Sequence, residues 1–195
     1  MICRKSDAES LLIAADYLRR GKIVILPTDT VYGFSGIVQG RHYSYHTEKK
    51  IAQIKGRDEN KPCIQLISKP EDLKKYTRDL VPQELLSLWP GPLTIIVHTL
   101  KKGGIFETTA FRCPGDAWLR QLIAECGAPI YSTSVNRAGS APLNTLGEIK
   151  KEFGSQVDLI IDDGDKTAGT PSTIVALEED GSVKLVRQGE LKINL

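Results

Sequence analysis

The chain has 195 residues, of which 41% are hydrophobic and 26% are charged, and its formal net charge is +2. This length and composition are those of an ordinary globular protein, so we expect one domain over residues 1–195. The net charge is too small to indicate a nucleic-acid partner by itself, and no apolar stretch approaches the roughly 20 residues that a membrane-spanning helix needs.

The first residues lack the apolar core of a signal peptide, so we expect a cytoplasmic protein. The four cysteines form no CxxC pair and no metal-ligand spacing; they are Cys3, Cys63, Cys113 and Cys126. Their even number is compatible with disulfides. A chain of this size does not need them to stabilise its core, and reduced thiols fit better.

The first half of the chain predicts alternating helices and strands. Ser6 and Glu9 have the spacing of a capping box, and apolar residues follow at helical intervals as far as Gly21. The branched apolar run 22–26 predicts a buried strand, which Pro27 ends. The next predicted elements are a helix that reaches Lys55, a strand over 64–68, and helices over 71–76 and 82–88.

The second half predicts more strands than helices. The run Trp89-Pro90-Gly91-Pro92 is a rigid turn, because proline cannot continue a helix. The predicted strands are 93–98, 109–112, 130–133, 157–161, 172–177 and 183–187, and the predicted helices are 116–126 and 145–153. Asp180-Gly181 separates the last two strands as a hairpin turn. This order of elements predicts one α/β domain with a mixed sheet.

A polar segment, PTDTVYG (residues 27–33), follows the first predicted strand directly. It combines two hydroxyls, a carboxylate, a phenol and a glycine, and ligands in open α/β sheets bind beyond the carboxyl ends of strands. The same residue types also form hydrogen-bonded turns. Composition alone leaves a ligand-binding loop and a plain turn equally open.

Two further polar clusters stand at the edges of apolar runs, namely KGR (residues 55–57) and SVNRAGS (134–140). Lys55 supplies a mobile point charge and Arg57 a rigid fork of donors, so together they suit a polyanion with several oxygens. Ser134 and Asn136 add neutral donors and acceptors. Each cluster alone is also typical of a solvated surface or loop. Together they indicate a phosphate-handling site assembled from distant segments.

Other chemistries find less support. His42 and His46 are four residues apart, as metal ligands on one helix face are, but they lack the glutamate of an HExxH motif and a nearby third ligand. A solvated or RNA-facing pair is favoured. The chain has no Walker A loop and no nucleophile elbow, which excludes a P-loop enzyme and leaves covalent catalysis unsupported.

In chain order, these segments resemble the YrdC/TsaC family of threonylcarbamoyl-AMP synthases in its short, single-domain form. The matching blocks are PTDTVYG, KGR, WPGPLT, FRCP, STSVNRAG, PSTIV and LVRQG. The resemblance implies a twisted, open α/β sheet of mixed parallel and antiparallel strands, with flanking helices around a basic cavity.

The resemblance also implies a reaction. L-threonine, bicarbonate and ATP, with Mg²⁺ as the expected metal, give L-threonylcarbamoyladenylate and pyrophosphate. The product serves the t6A modification of tRNAs that read ANN codons, through a separate TsaD-type transferase complex. Family members can bind RNA, so the alternative is a non-catalytic double-stranded RNA- or tRNA-binding protein that acts in RNA or ribosome maturation. The intact motifs favour the enzyme, because RNA binding alone would not require a threonine pocket.

The family pattern assigns roles to particular residues. Those expected in catalysis are Lys55, Arg57, Ser134 and Asn136. Those expected to bind ATP are Lys55, Arg57, Thr108, Asn136, Asn144 and Arg187. Those expected to bind threonine are Thr28, Thr30, Arg112, Ser134 and Ser172. The fork of Arg112 matches a carboxylate, and no protein ligand for a metal is predicted.

Three features depart from the family pattern. Asp58 follows KGR where relatives often carry proline, and its charge would weaken ATP binding unless it faces Lys61 or a metal. Cys63 stands where leucine is usual. The segment 40–50 is rich in His, Tyr and Lys; it is either a solvated helix start, which is favoured, or a surface that faces RNA.

Overall fold

The computed structural model describes residues 1–38, 45–59, 61–100, 106–166 and 169–193. The helices in these ranges are α1 (Ser10–Arg19), α2 (Thr47–Lys55), α3 (Gln83–Leu86), α4 (Ala117–Cys126) and α5 (Leu146–Phe153), with a 3-10 helix at Pro70–Lys75. The strands are β1 (Ile2–Arg4), β2 (Val24–Leu26), β3 (Gly33–Ile37), β4 (Ile64–Leu66), β5 (Leu93–Leu100), β6 (Phe106–Arg112), β7 (Ile130–Ser134), β8 (Leu159–Asp162), β9 (Thr173–Leu177) and β10 (Val183–Arg187).

The strands of the described residues form one sheet of ten strands, in the order β1-β8-β2-β3-β7-β4-β6-β5-β9-β10. Parallel pairs (β1·β8, β2·β8, β4·β6, β5·β9) mix with antiparallel ones such as β3·β7 and β5·β6. The predicted α/β fold with a mixed sheet is therefore confirmed. Strands from distant parts of the chain become neighbours at the centre of the sheet, which brings their end loops together.

Three apolar clusters hold the sheet and its helices. Helices α1 and α4 pack together over β1, β2 and β8, with Leu18 and Leu122 fully buried. Helices α2 and α5 pack in a second cluster, where Phe34 and Phe153 make an edge-to-face contact at 4.9 Å. The 3-10 helix and α3 cover the last strands around Trp89. Burial of these apolar side chains is the main stabilising contribution to the fold.

Strand β3 was not predicted, because its sequence GFSGI is poor in branched residues. It lies between β2 and β7, both antiparallel to it. A β-carbon at Gly33 would meet Ser132 Oγ of β7 at 2.8 Å. A side chain at the start of β3 would have to displace this hydroxyl, so glycine fits where the strand approaches β7 closely. This contact brings the end of the PTDTVYG segment next to the SVN segment.

Several predicted boundaries change. Helix α1 begins at Ser10, and Glu9 occupies its N-cap without a side-chain cap, so the capping box at Ser6 and Glu9 is wrong. The preceding turn is closed by Asp7 instead, whose carboxylate accepts the Arg4 N–H at 3.0 Å. Thr145 caps α5, and its side chain accepts the Glu148 N–H.

Strand β6 is longer than predicted, since pairing with β5 extends it back to residue 106. All four cysteines are buried and free. No helix in the described part of the chain is long and apolar enough to cross a membrane.

Candidate active site

The PTDT segment forms a hydrogen-bonded turn between β2 and β3. Thr28 Oγ1 accepts the backbone N–H of Thr30 at 3.1 Å and that of Val31 at 3.2 Å, and it donates to the Val31 carbonyl at 2.7 Å. The hydroxyl oxygens of Thr28 and Thr30 are 2.9 Å apart, and both side chains are buried. The turn therefore also holds two hydroxyls together at one wall of the cavity described below.

Arg112, at the end of β6, is anchored against this turn. Its Nη1 donates to Thr30 Oγ1 at 3.0 Å, its Nη2 to Asp29 Oδ1 at 2.5 Å, and its Nε to the Gly91 carbonyl at 3.1 Å. The other carboxylate oxygen of Asp29 accepts the Gly115 N–H at 2.7 Å. Three of the five N–H groups of the guanidinium are thus engaged, and the fork is held rigidly at the cavity wall.

Lys55 joins the KGR segment to the SVN segment. Its buried ammonium donates to the backbone carbonyl of Ser134 and to Asn136 Oδ1, the latter at 2.8 Å. Ser134 Oγ donates to the same Asn136 oxygen at 2.6 Å. Burial, and then the nearby charge of Arg57, lowers the pKa of Lys55 to about 8. Lys55 therefore forms a buried cationic centre that the two segments share.

Arg57 follows the helix end and lines the cavity. Gly56 supplies the left-handed conformation (φ 62°) that turns the chain away from α2. The Nη2 group of Arg57 donates to Cys63 Sγ at 2.8 Å, and its Nη1 to Thr133 Oγ1 at 3.4 Å. Burial raises the pKa of Cys63 to about 11, so the sulfur is a neutral acceptor at pH 7. The Nε of Arg57 is buried and has no partner among the described residues.

Ser172 and Arg187 form a further part of the cavity lining. Arg187 donates through Nη2 to the Ser172 carbonyl at 2.8 Å and through Nε to the same oxygen at 3.2 Å. The Ser172 hydroxyl pairs with Thr94 Oγ1 at 2.8 Å, and both groups are buried. Partial burial, and then the charge of Arg112, lowers the pKa of Arg187. The positive charges of the two arginines therefore act on each other across the site.

These segments surround a cavity of about 340 Å³. The predicted site residues that line it are Thr28, Thr30, Arg57, Arg112, Ser134, Asn136, Ser172 and Arg187. Among the described residues, its charged lining consists of Arg57, Lys61, Arg112 and Arg187, without a carboxylate. Such a lining suits an anion with several oxygens, held by charge and by neutral hydroxyls.

Three predicted residues, Thr108, Asn144 and Lys55, do not line this cavity. Thr108 is exposed on β6. It lies on the same face of the strand as Ala110 and Arg112 and precedes both in the chain. Asn144 lies two residues after Pro142, which does line the cavity, and its buried side-chain oxygen has no partner in the described part of the chain. Lys55 lies behind the lining and acts on it through Ser134 and Asn136.

The remaining predictions have simple outcomes. Asp58 is exposed and does not line the cavity, and its carbonyl accepts the Lys61 N–H at 3.2 Å. His42 and the rest of 40–44 lie outside the described residues, while His46 is at the N-cap of α2. No group of three or more His, Cys, Asp or Glu side chains in the described ranges is arranged to hold a metal ion.

Three residues at the site were not predicted as site residues from the sequence. Lys61 was considered only as a partner for Asp58, yet it lines the cavity. Asp29 was seen as part of the polar segment but not as the anchor of Arg112. Thr94 belongs to the matching motif WPGPLT, but the sequence predicted no role for it. Asp29 and Thr94 act through long-range contacts, which no local pattern reveals.

The fold and the site define an α/β protein whose sheet carries a ligand-sized cavity lined by cations and hydroxyls. A family described as telomere recombination, Sua5/YciO/YrdC, matches residues 16–189. The chain belongs to this family, as its sequence motifs predict.

Curated relatives and solved structures agree. A putative threonylcarbamoyl-AMP synthase of Methanocaldococcus jannaschii is 34% identical over 180 residues, covering 89% of this chain and 82% of the relative. The threonylcarbamoyl-AMP synthase of Pyrococcus abyssi is 32% identical over 191 residues, covering 93% of this chain but 54% of the relative. The structure of P. abyssi Sua5 complexed with L-threonine matches with a TM-score of 0.82 at 30% identity, over 97% of this chain and 57% of that one. The chain thus spans little more than half of the Pyrococcus protein.

Proposed function

We propose that this protein is an L-threonylcarbamoyladenylate synthase that uses L-threonine, bicarbonate and ATP. The observation that carries the proposal is the single cavity at which PTDT, KGR, SVN and Ser172 with Arg187 meet. Relatives that cover most of this chain bear the name threonylcarbamoyl-AMP synthase. A related structure holds L-threonine, the amino acid that the proposal requires.

The proposed chemistry needs positioning and charge stabilisation more than a protein nucleophile. The amine of threonine and bicarbonate give a carbamate and water. An oxygen of the carbamate attacks the α-phosphorus of ATP, the bond to the β-phosphate breaks, and pyrophosphate leaves. Two anions must approach each other, and negative charge develops on the leaving group. A cavity lined by cations without a carboxylate meets this demand.

On the nucleotide side, Arg57 would bind the triphosphate directly. Arg57 lines the cavity, and its Nη1 and Nη2 each carry a second N–H that the contacts with Thr133 and Cys63 do not use. Lys61 is a second cation in the cavity lining. Lys55 would hold Ser134 and Asn136 in place and supply charge from behind the lining, and Arg187 would bind another part of the nucleotide. Thr108 and Asn144 would contact more distant parts of the nucleotide.

On the amino-acid side, Arg112 would hold the threonine carboxylate through the N–H groups that it does not use for Asp29, Thr30 and Gly91. Thr28, Thr30, Ser134 and Ser172 also line the cavity, and the Thr30 hydroxyl is in direct contact with Arg112. A site that hydrogen-bonds the substrate hydroxyl rejects analogues that lack it strongly. Selection of threonine would therefore depend on these neutral groups.

Magnesium would enter with the triphosphate. Mg²⁺ usually keeps several waters and binds one or two carboxylates together with substrate phosphates. The described lining offers hydroxyls but no carboxylate, so it does not fit a metal held by the protein itself. We therefore assign no catalytic step to a protein-bound metal.

The product would then pass to a tRNA-modifying transferase of the TsaD type, which would place the threonylcarbamoyl group on tRNAs that read ANN codons. A mixed anhydride of a carbamate with a phosphate is an activated acyl donor, so a transfer reaction must consume it. The present protein would form the donor and would not require tRNA for that step.

Pyrophosphate release with each substrate omitted in turn tests the proposal. We expect release with ATP, bicarbonate and L-threonine together, and little release when bicarbonate or threonine is absent. Equal release with serine, or release without bicarbonate, would contradict the substrate assignment. If the protein binds double-stranded RNA or tRNA tightly but releases no pyrophosphate, the RNA-binding alternative replaces the proposal.

A further inference from the structure

The end of helix α2 is completed by the loop that carries Asn136. A helix leaves its last four carbonyls without partners inside the helix. Here the Ala52 and Gln53 carbonyls accept from the N–H groups just after the helix, those of Arg57 and Gly56. The last carbonyl, that of Lys55, accepts the N–H of Ala138 at 2.9 Å. The loop after β7 thus acts as a cap for α2.

Arg137 completes the same cap with its side chain. Its Nη1 donates to the remaining carbonyl, that of Ile54, at 2.5 Å. A cation at this position also interacts favourably with the negative end of the helix. The backbone carbonyl of Arg137 in turn accepts Asn136 Nδ2 at 2.8 Å. One residue therefore contacts both the helix that ends in Lys55 and the side chain that Lys55 binds.

Helix α5 holds Arg137 in this orientation. Its Nε donates to Glu152 Oε1 at 2.7 Å, and its guanidinium carbon lies 4.8 Å from the centre of the Phe153 ring. Its Nη2 reaches Gln156 Oε1 at 3.4 Å. A planar fork can make such contacts in several directions at once, whereas a lysine is a single point donor. The side chain therefore joins α2, α5 and the loop after β7.

We infer that Arg137 is a positioning residue for the nucleotide site, because it keeps the Lys55 end of α2 and the Asn136 loop in register. It does not line the cavity at which the ATP-binding residues meet, so it acts through Lys55 and Asn136. The kinetic part of this inference rests on the proposed function. Its structural consequence, the attachment of loop 136–140 to α2, does not depend on it.

The chain provides a matched control in Arg19. Its Nη1 donates to the Glu125 carbonyl in the last turn of α4 at 3.1 Å and to Glu125 Oε1 at 3.1 Å. The side chains of Arg19 and Glu125 are 45% and 42% exposed, and those of Arg137 and Glu152 are 43% and 44% exposed. Both arginines therefore bind a carbonyl near a helix end and a carboxylate at equal exposure, but only Arg137 is next to the site.

The experiment compares Arg137→Met with Arg19→Met in the full chain. We expect both variants to fold, with a small loss of melting temperature in Arg19→Met, since half-exposed ion pairs contribute little, and a somewhat larger loss in Arg137→Met, which also loses contacts with Phe153 and Gln156. The kcat/KM for ATP should fall roughly tenfold in Arg137→Met, with the larger share in KM, and stay within about twofold of the wild type in Arg19→Met. Arg137→Lys, which keeps the charge but not the fork, should recover part of the loss.

Hydrogen exchange provides a measurement that is independent of turnover. The Ala138 amide should exchange faster than in the wild type in Arg137→Met and at the wild-type rate in Arg19→Met. Equal kinetics and equal exchange in the two methionine variants would overturn the inference. If Arg137→Met does not fold, Glu152→Gln, which removes only the charge that orients Arg137, must reproduce the rise in the KM for ATP, or the inference fails. An inactive wild type would contradict the proposed function, while the exchange comparison would still decide the positioning role.

Discussion

Lys55 and Asn136 are 81 residues apart in the chain, yet Lys55 Nζ donates to Asn136 Oδ1 at 2.8 Å in a buried setting. The contact joins the end of α2 to the loop after β7 and places a cation directly behind the cavity. It also explains why two weak motifs, each typical of an ordinary surface, form one site when the chain folds.

The first prediction concerns the charge of Lys55. Lys55→Met keeps the length and the apolar stem of the side chain but removes the ammonium. We expect kcat for pyrophosphate release to fall by a factor of about 100 or more, as when one preorganised donor is lost from an active site. The melting temperature should not fall correspondingly, because burial of the lysine charge opposes folding. An active Lys55→Met variant would contradict the role that we propose for this cation.

The second prediction concerns pH. The pKa of Lys55 is about 8 in the folded protein, against an ordinary value of 10.5. The ammonium is therefore lost as the pH rises through about 8, and kcat/KM for ATP should decline there, since this quantity reports the free enzyme. Between pH 8 and 10.5 the unfolded chain binds more protons at this position, so the contribution of Lys55 to stability should rise with pH.

The kinetic part and the stability part of this prediction can both be measured by comparison with Lys55→Met. The difference in unfolding free energy between the wild type and the variant should shift in favour of the wild type between pH 8 and 10.5. The variant should also lack the decline of kcat/KM for ATP near pH 8. A wild-type profile that stays flat to pH 10 would show that the lysine keeps an ordinary pKa.

The third prediction concerns Asp29, which anchors Arg112 at 2.5 Å. Asp29→Asn keeps the shape and removes the charge. A hydrogen bond between charged groups contributes about 1.5–3 kcal/mol, so loss of the anchor should raise the KM for threonine roughly tenfold or more and change the KM for ATP much less. Steady-state kinetics with each substrate varied in turn give both constants. An increase confined to the KM for ATP would assign Arg112 to the nucleotide instead.

The fourth prediction concerns the hydroxyl pair of Thr94 and Ser172, which are 2.8 Å apart. Thr94→Val leaves the volume almost unchanged and removes the partner that orients the Ser172 hydroxyl. We expect the KM for threonine to rise by roughly two- to tenfold, which corresponds to one neutral hydrogen bond.

The control for Thr94→Val is on the same strand. Thr99 makes an equivalent hydroxyl pair with Thr109 at 2.8 Å, but neither residue lines the cavity. Thr99→Val should leave the KM for threonine unchanged. Equal effects of the two substitutions would indicate a general response of β5 rather than a role of Ser172 in the threonine site.

Much of this arrangement could be predicted from the sequence. The apolar runs before PTDT and SVN predicted β2 and β7, and the chemistry of lysine, arginine and small hydroxyls predicted an anion site built from distant segments. Strand β3 could not be predicted, because its glycines fit close neighbours in the fold, Ser132 of β7 at Gly33 and Thr47 of α2 at Gly36, and not strand propensity. The internal anchor of Arg112 also escaped prediction, since Asp29 reaches it only after β2 and β6 join one sheet.

The most direct test of the central claim is detection of the product with isotope-labelled bicarbonate. The purified protein is incubated with ATP, L-threonine and ¹³C-bicarbonate, and the mixture is analysed at once by mass spectrometry. We predict threonylcarbamoyladenylate carrying the label, formed in step with pyrophosphate and lost in Lys55→Met. Release of pyrophosphate without a labelled adduct, or an adduct that forms without threonine, would contradict the claim that a nucleotide and a carbamylated amino acid react in this one cavity.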